Sequence, residues 1–135
     1  MTSTAGITKS AVELVQEARA QIDNITPKQA YRELSTGNAV ALDIREPVEW
    51  EQHIEGALQV PRGLLEFAAD PASPRHAPEL DPHSRVIVYC RSGVRGALAG
   101  ATLKTLGFEN VANLDGGLNA WKDEGLPTDE HHADL

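Results

Sequence analysis

The chain has a single cysteine, only 12 lysines and arginines against 20 aspartates and glutamates, and no apolar run long enough to span a bilayer. Each shortage closes off a class of protein. One cysteine excludes an internal disulfide and fits a reducing compartment. A formal net charge of -8 argues against a nucleic-acid partner, because duplex binding needs a basic face. The missing apolar run, and a start without a basic-then-apolar pattern, lead to the expectation of a cytoplasmic protein with no membrane partner. No internal repeat or low-complexity segment stands out. At 135 residues, 41% hydrophobic and 24% charged, the chain can bury one real core but not two.

What is present is concentrated in one stretch. Val86-Ile87-Val88-Tyr89, all β-prone, run straight into Cys90. Arg91, Ser92, Gly93, Val94 and Arg95 follow, and a helical pattern begins. This reads as strand, tight loop and helix N-terminus, with a nucleophile at the turn. The carboxyl end of a strand is where open α/β sheets bind ligands. Backbone N–H groups of the loop and the helix N-terminus would favour an anion there and lower the thiol's pKa. Cys90 is therefore expected to be partly exposed and reactive. A lone cysteine more often packs as a small hydrophobe, but packing explains neither arginine beside it.

The rest of the chain alternates helix and strand. Ser10 and Glu13 form a capping-box pattern ahead of an amphipathic helix carrying Ala11, Leu14, Val15, Ala18 and Ile22 on one face. That helix could lie on the flank of the domain or form a dimer surface, and the flank is the simpler reading. Ile25 reads as a short edge strand. Thr26, Pro27 and Gln29 then open a second helix, which stops at Gly37. Ala39 to Ile44 is an apolar run of strand length, buried on both faces. Asp43 and Arg45, at its carboxyl end, read as a structural ion pair. Pro47 to Gln52 suggests a helical turn, and His53 lies before a strand over Ala57–Val60. Pro61 to His83 is proline-rich and irregular apart from two helical turns over Gly63–Ala69. Arg62, Phe67, Arg75 and His76 are its candidates to wall a pocket and choose an acceptor. Val94 to Leu106 makes a helix in which Gly96 and Gly100 allow close approach to the sheet. Asn110–Leu114 is the last predicted strand, and a helix with Leu118 and Trp121 closes the domain. His131 and His132 in the polar tail make a poor metal site. The alternation predicts a mostly parallel α/β sheet with helices on both faces.

Cys90-Arg91-Ser92-Gly93-Val94-Arg95 resembles the active-site loop of the rhodanese (thiosulfate sulfurtransferase-like) family. Leu42-Asp43-Ile44-Arg45-Glu46-Pro47 with His53-Ile54-Glu55-Gly56-Ala57 is similar to the family's first signature, although Gln52 and Glu55 stand where glycine and proline are frequent. Leu114-Asp115-Gly116-Gly117-Leu118-Asn119-Ala120-Trp121 resembles its closing segment. The resemblance implies a five-stranded rhodanese domain over residues 24–127, preceded by a helical extension (1–23) and followed by a polar tail (128–135).

It also implies a function without cofactor or metal. Cys90 would take the sulfane sulfur of thiosulfate or a persulfide as a Cys90 persulfide, then pass it to cyanide, a thiol or a carrier protein. Arg91, Ser92, Gly93, Val94 and Arg95 would bind the donor. Arg91 is expected to face outward toward an oxyanion, Arg95 to brace the loop, and Asp43 and Arg45 to support it. The chain would act as a monomer or homodimer. Two alternatives remain: a non-enzymatic binding or redox-sensing module, and a cysteine phosphatase or arsenate reductase. The phosphatase pattern is Cys-x5-Arg, whereas four residues separate Cys90 from Arg95.

Overall fold

The computed structural model describes residue 6 and residues 8–130; the expectation for His131 and His132 lies outside the described residues. Helix α1 (Ala11–Gln21) is capped by Ser10, whose Oγ accepts from Glu13 N while Glu13 Oε1 accepts from Ser10 N. Strand β1 (Asp23–Ile25) follows, then α2 (Pro27–Ser35) with Thr26 as its cap. Gln29 N donates to Thr26 Oγ1 at 3.2 Å, and its side-chain amide donates to Glu33 Oε2 at 3.3 Å instead of closing a capping box with Thr26.

Strand β2 (Ala39–Asp43) leads through a 3-10 turn at Pro47–Glu49 to β3 (Gln52–Ile54) and β4 (Leu58–Gln59). Helix α3 (Leu65–Ala69) sits in the proline-rich segment before β5 (Arg85–Tyr89). The chain continues through α4 (Val94–Thr105), β6 (Asn110–Leu114), α5 (Gly117–Asp123) and β7 (Thr128–Glu130).

Five strands form one parallel sheet in the order β1-β6-β5-β2-β4. Its period-2 alternation divides the core between two faces. Val86, Val88 and Cys90 point with Leu42, Ala99 and Leu103 to the α3/α4 face, where α1 packs outside α4. Ile87 and Tyr89 point with Ala30, Leu118 and Trp121 to the α2/α5 face. The sulfur thus continues the buried register of β5, and α1 lies on its side of the sheet. Flank packing of α1 is what the structure contains.

Two expectations are corrected. Thr128–Glu130 is no tail: it forms β7 and pairs antiparallel with β3, placing His53 opposite Asp129 inside a strand. Three-residue strands carry no readable alternation, and this ribbon exists only because α5 returns the chain beside β3. His53 Nδ1 donates to the carbonyl of Trp50 at 3.1 Å, a local structural bond. The proline-rich segment is the other correction. Leu65, Ala68, Ala69 and Leu80 are buried in the core, so it covers the sheet as a packed connector.

Candidate active site

The ends of β2 and β5 lie side by side, with Asp43 opposite Tyr89. Cys90 directly follows β5 and Gly93 N-caps α4 with φ of +105°, a conformation that suits glycine. This turn brings two backbone amides onto the sulfur: Gly93 N lies 3.1 Å and Gly96 N 3.3 Å from Cys90 Sγ.

The loop's carbonyls are tied elsewhere. Leu118 N donates to the Cys90 carbonyl at 2.8 Å, and Asn119 N to that of Arg91 at 3.0 Å. The Gly93 carbonyl accepts from Asn113 Nδ2 at 3.0 Å and from Ala97 N at 3.2 Å. With these oxygens held outward, donors face the sulfur. Gly117 makes this docking feasible, since a Cβ there would lie 2.5 Å from the Arg91 carbonyl carbon. Gly96 likewise admits Asn113 Oδ1, a buried atom with no hydrogen-bond partner. Asn113, Gly117, Leu118 and Asn119 were missed as site residues. The Gly-Gly motif was visible, but its use as a platform for a loop 26 residues earlier is a tertiary fact.

Cys90 is 1% exposed, not partly exposed as expected, because the loop closes over the end of a buried strand. The two arginines differ in exposure and in their hold on one carboxylate. The Arg91 side chain is 61% exposed and its Nη2 lies 3.5 Å from Glu49 Oε2. Arg95 makes a two-point contact with the same carboxylate, at 2.8 and 3.0 Å. These bonds from Arg95, opposed by desolvation, hold the Glu49 carboxyl at about 2 instead of 4.5. Glu49 comes from the turn after β2 and has no motif of its own. Ser92 and Val94 are exposed on the rim.

Asp43 and Arg45 form a closed pair beneath this region, both buried, with Nη2 to Oδ2 at 2.8 Å. Arg45 also donates to the Gln52 carbonyl at 2.8 Å. Tyr89 donates to Asp43 Oδ2 at 2.9 Å and accepts from Ile54 N at 3.0 Å. Burial first, then the Asp43 charge, pushes the Tyr89 phenol up, so it remains a donor. The pair ties β2, β3 and β5 together, as the ion-pair reading expected.

Beside the loop lies a cavity of about 440 Å³, lined among others by Val48, Glu49, Gln52, Arg91, Asn119 and Lys122. Its wall comes from the turn after β2, from α5 and from β7. Arg62, Phe67, Arg75 and His76 do not line it. Arg62 instead binds Glu66 and Thr102, and His76 bonds the Leu80 carbonyl.

A cysteine sulfur under backbone amides at the carboxyl edge of a parallel sheet defines an α/β protein with a cysteine-centred binding loop. The profile of the rhodanese-like domain matches residues 26–124, and the chain belongs to that family. A sulfurtransferase of Allochromatium vinosum is 38% identical over 99 residues, covering 73% of this chain and 85% of that protein. Among solved structures, a Rhodopseudomonas palustris protein of unknown function, called a possible tyrosine phosphatase, superposes with a TM-score of 0.84. It is 34% identical and covers 96% of this chain and 99% of its own. The homodimeric polysulfide-sulfur transferase of Wolinella succinogenes has a TM-score of 0.70 at 31% identity, covering 88% of this chain and 86% of that one. The chain spans only 26% of the first curated relatives it matches. Among the described residues, no helix is long and apolar enough to cross a membrane.

Proposed function

We propose that this chain is a sulfurtransferase that carries sulfane sulfur on Cys90 as a persulfide. The observation that carries the reading is the pair of amides on Sγ, at 3.1 and 3.3 Å, in a loop whose nearby carbonyls are tied outward. Such donors favour a sulfur bearing negative charge, as the attacking sulfur and the terminal sulfur of a persulfide both do in the transfer. With thiosulfate as donor, the thiolate attacks the sulfane sulfur. A new S–S bond forms, the bond to the sulfonate sulfur breaks, and its electron pair leaves with sulfite. A thiophile (cyanide, a thiol or a protein cysteine) then attacks the terminal sulfur and returns Cys90 as thiolate. Electrons and atoms balance without a metal or redox cofactor.

Arg91, exposed at the mouth, suits the oxyanion of the donor. Ser92, Gly93, Val94 and Arg95 shape the ring, with Arg95 anchored on Glu49, while Asp43 and Arg45 hold the neighbouring strand ends. The reaction would take place in the cytoplasm, by a monomer or homodimer; the Wolinella relative supports the latter form.

The phosphatase description of the Rhodopseudomonas relative raises the rival reading. Arg95 counts against it, because its guanidinium is engaged by Glu49 at two points instead of being free for an anion. Mass spectrometry after thiosulfate treatment should show one added sulfur on the Cys90 peptide and none in Cys90→Ser. A chain that stays unmodified by thiosulfate, polysulfide and low-molecular-weight persulfides is not a sulfurtransferase.

A further inference from the structure

Helix α1 precedes the family-matched segment, yet it reaches the Cys90 loop. Val12, Val15 and Gln16 line a hollow with Val94, the loop residue at the start of α4. One turn on, at the spacing that continues this face, stands Arg19. Its Nη2 lies 3.6 Å from where a Cβ on Gly93 would stand, so the guanidinium packs against the residue whose amide donates to Cys90 Sγ. Asn24 Nδ2 donates to the Arg19 carbonyl at 3.0 Å and fixes the helix end on β1. The ionic partner of Arg19 is Asp115, at 3.6 Å, and that carboxylate is 60% exposed. A solvated partner at this distance neutralises little of the charge. Arg95, by contrast, is held at two points by Glu49, which is only 14% exposed. Arg19 lies on the sulfur's side of the sheet, while the cavity beside Arg91 is walled by α5.

We propose that Arg19 is a positioning residue of the sulfur-binding loop, packing on Gly93 and setting a positive charge beside the anion that Cys90 carries. The proposal rests on the sulfurtransferase reading for its purpose but not for its test. An arginine suits the position because its planar group can lie against a Cβ-less backbone while retaining its charge. Its effect is greatest for anionic reactants approaching Cys90 and fades with salt.

Cys90 is the one cysteine of the chain, so its alkylation reports this loop alone. The rate with iodoacetate, an anion, is divided by the rate with neutral iodoacetamide, in full-length chains without sulfur donor. This ratio reads the local field and cancels differences in sulfur nucleophilicity. Arg19→Gln should lower it by about three- to tenfold at low salt, and Arg19→Lys should restore most of it. Should the Gln variant not fold, Arg19→Met, which keeps an apolar stem on the helix face but carries no charge, takes its place with the same expected fall. A ratio equal in the charged and uncharged chains, whatever their melting temperatures, overturns the proposal. Turnover with thiosulfate is measured in parallel. If the parent chain forms no persulfide, the sulfurtransferase reading fails while the alkylation ratio still decides the role of Arg19.

Discussion

Two adjacent strand ends place an arginine near an anionic partner and arrive at opposite results. At the end of β2, Asp43 and Arg45 spend their hydrogen bonds on each other, on Gln52 and on Tyr89, and both are buried. At the end of β5, the anion-favouring amides face a lone sulfur and the arginines are handed to Glu49. Satisfaction makes the first a brace. The second leaves Arg91 mostly in solvent, with donor capacity that a bound anion can use. Residue types alone do not distinguish them; the fate of each hydrogen-bond donor does.

The sharpest way to break the comparison is to leave one member of the brace without its partner. Arg45→Ala should destabilise the chain by about 3–5 kcal/mol, because Asp43 stays buried and unpaired. Activity per folded molecule should change far less, a split that urea unfolding and a titration of folded protein would expose. If persulfide formation collapses while stability holds, Arg45 belongs to the chemistry after all.

Next come the two arginines of the open end. Arg91→Ala should mainly raise KM for an oxyanion donor, by roughly ten- to a hundredfold for a charge-assisted contact. Arg95→Ala should also lower kcat and stability, since it strips Glu49 of its two-point partner. Identical kinetic defects would remove the distinction.

Acid should separate the regions again, by a smaller amount. The carboxyl of Glu49 sits at about 2 in the folded chain, against an ordinary 4.5. A depressed carboxyl stabilises the fold above its unfolded value, and that contribution is lost as pH falls from about 4.5 toward 2. Thermal unfolding of Glu49→Gln should show a loss of about 1–3 kcal/mol near neutrality that shrinks across this window. A pH-independent loss would mean the ion pair is not its origin.

The smallest effect is expected from the proline-rich connector. Shortening Pro71–Pro78 should leave the relative rates with glutathione, dithiothreitol and thioredoxin unchanged, because the cavity beside Arg91 is built from other segments. A change in their ranking would restore the acceptor-wall reading of that loop.

Sequence made the sheet and the nucleophile loop legible because both rest on local signals. Apolar runs of strand length marked β2 and β5, glycines marked the helix ends, and the Cys90–Arg95 pattern marked the turn. What escaped depends on contacts distant in sequence. Glu49 is one of 20 acidic residues until the fold sets it between Arg91 and Arg95. Asn113 looks like any residue of a buried strand, and β7 like the start of a tail. The burial of Cys90 escaped as well, because a strand end beside two arginines does not reveal that α5 closes over the loop.

The two amides that α5 lends to the Cys90 and Arg91 carbonyls have a mechanical consequence. That helix is anchored by Trp121, fully buried and edge-on to Tyr31 of α2 at 6.0 Å. The loop therefore borrows the stiffness of the hydrophobic core. Loosening the ring would disturb α5 and its contact with α2, so the local stability of the loop is tied to that part of the core.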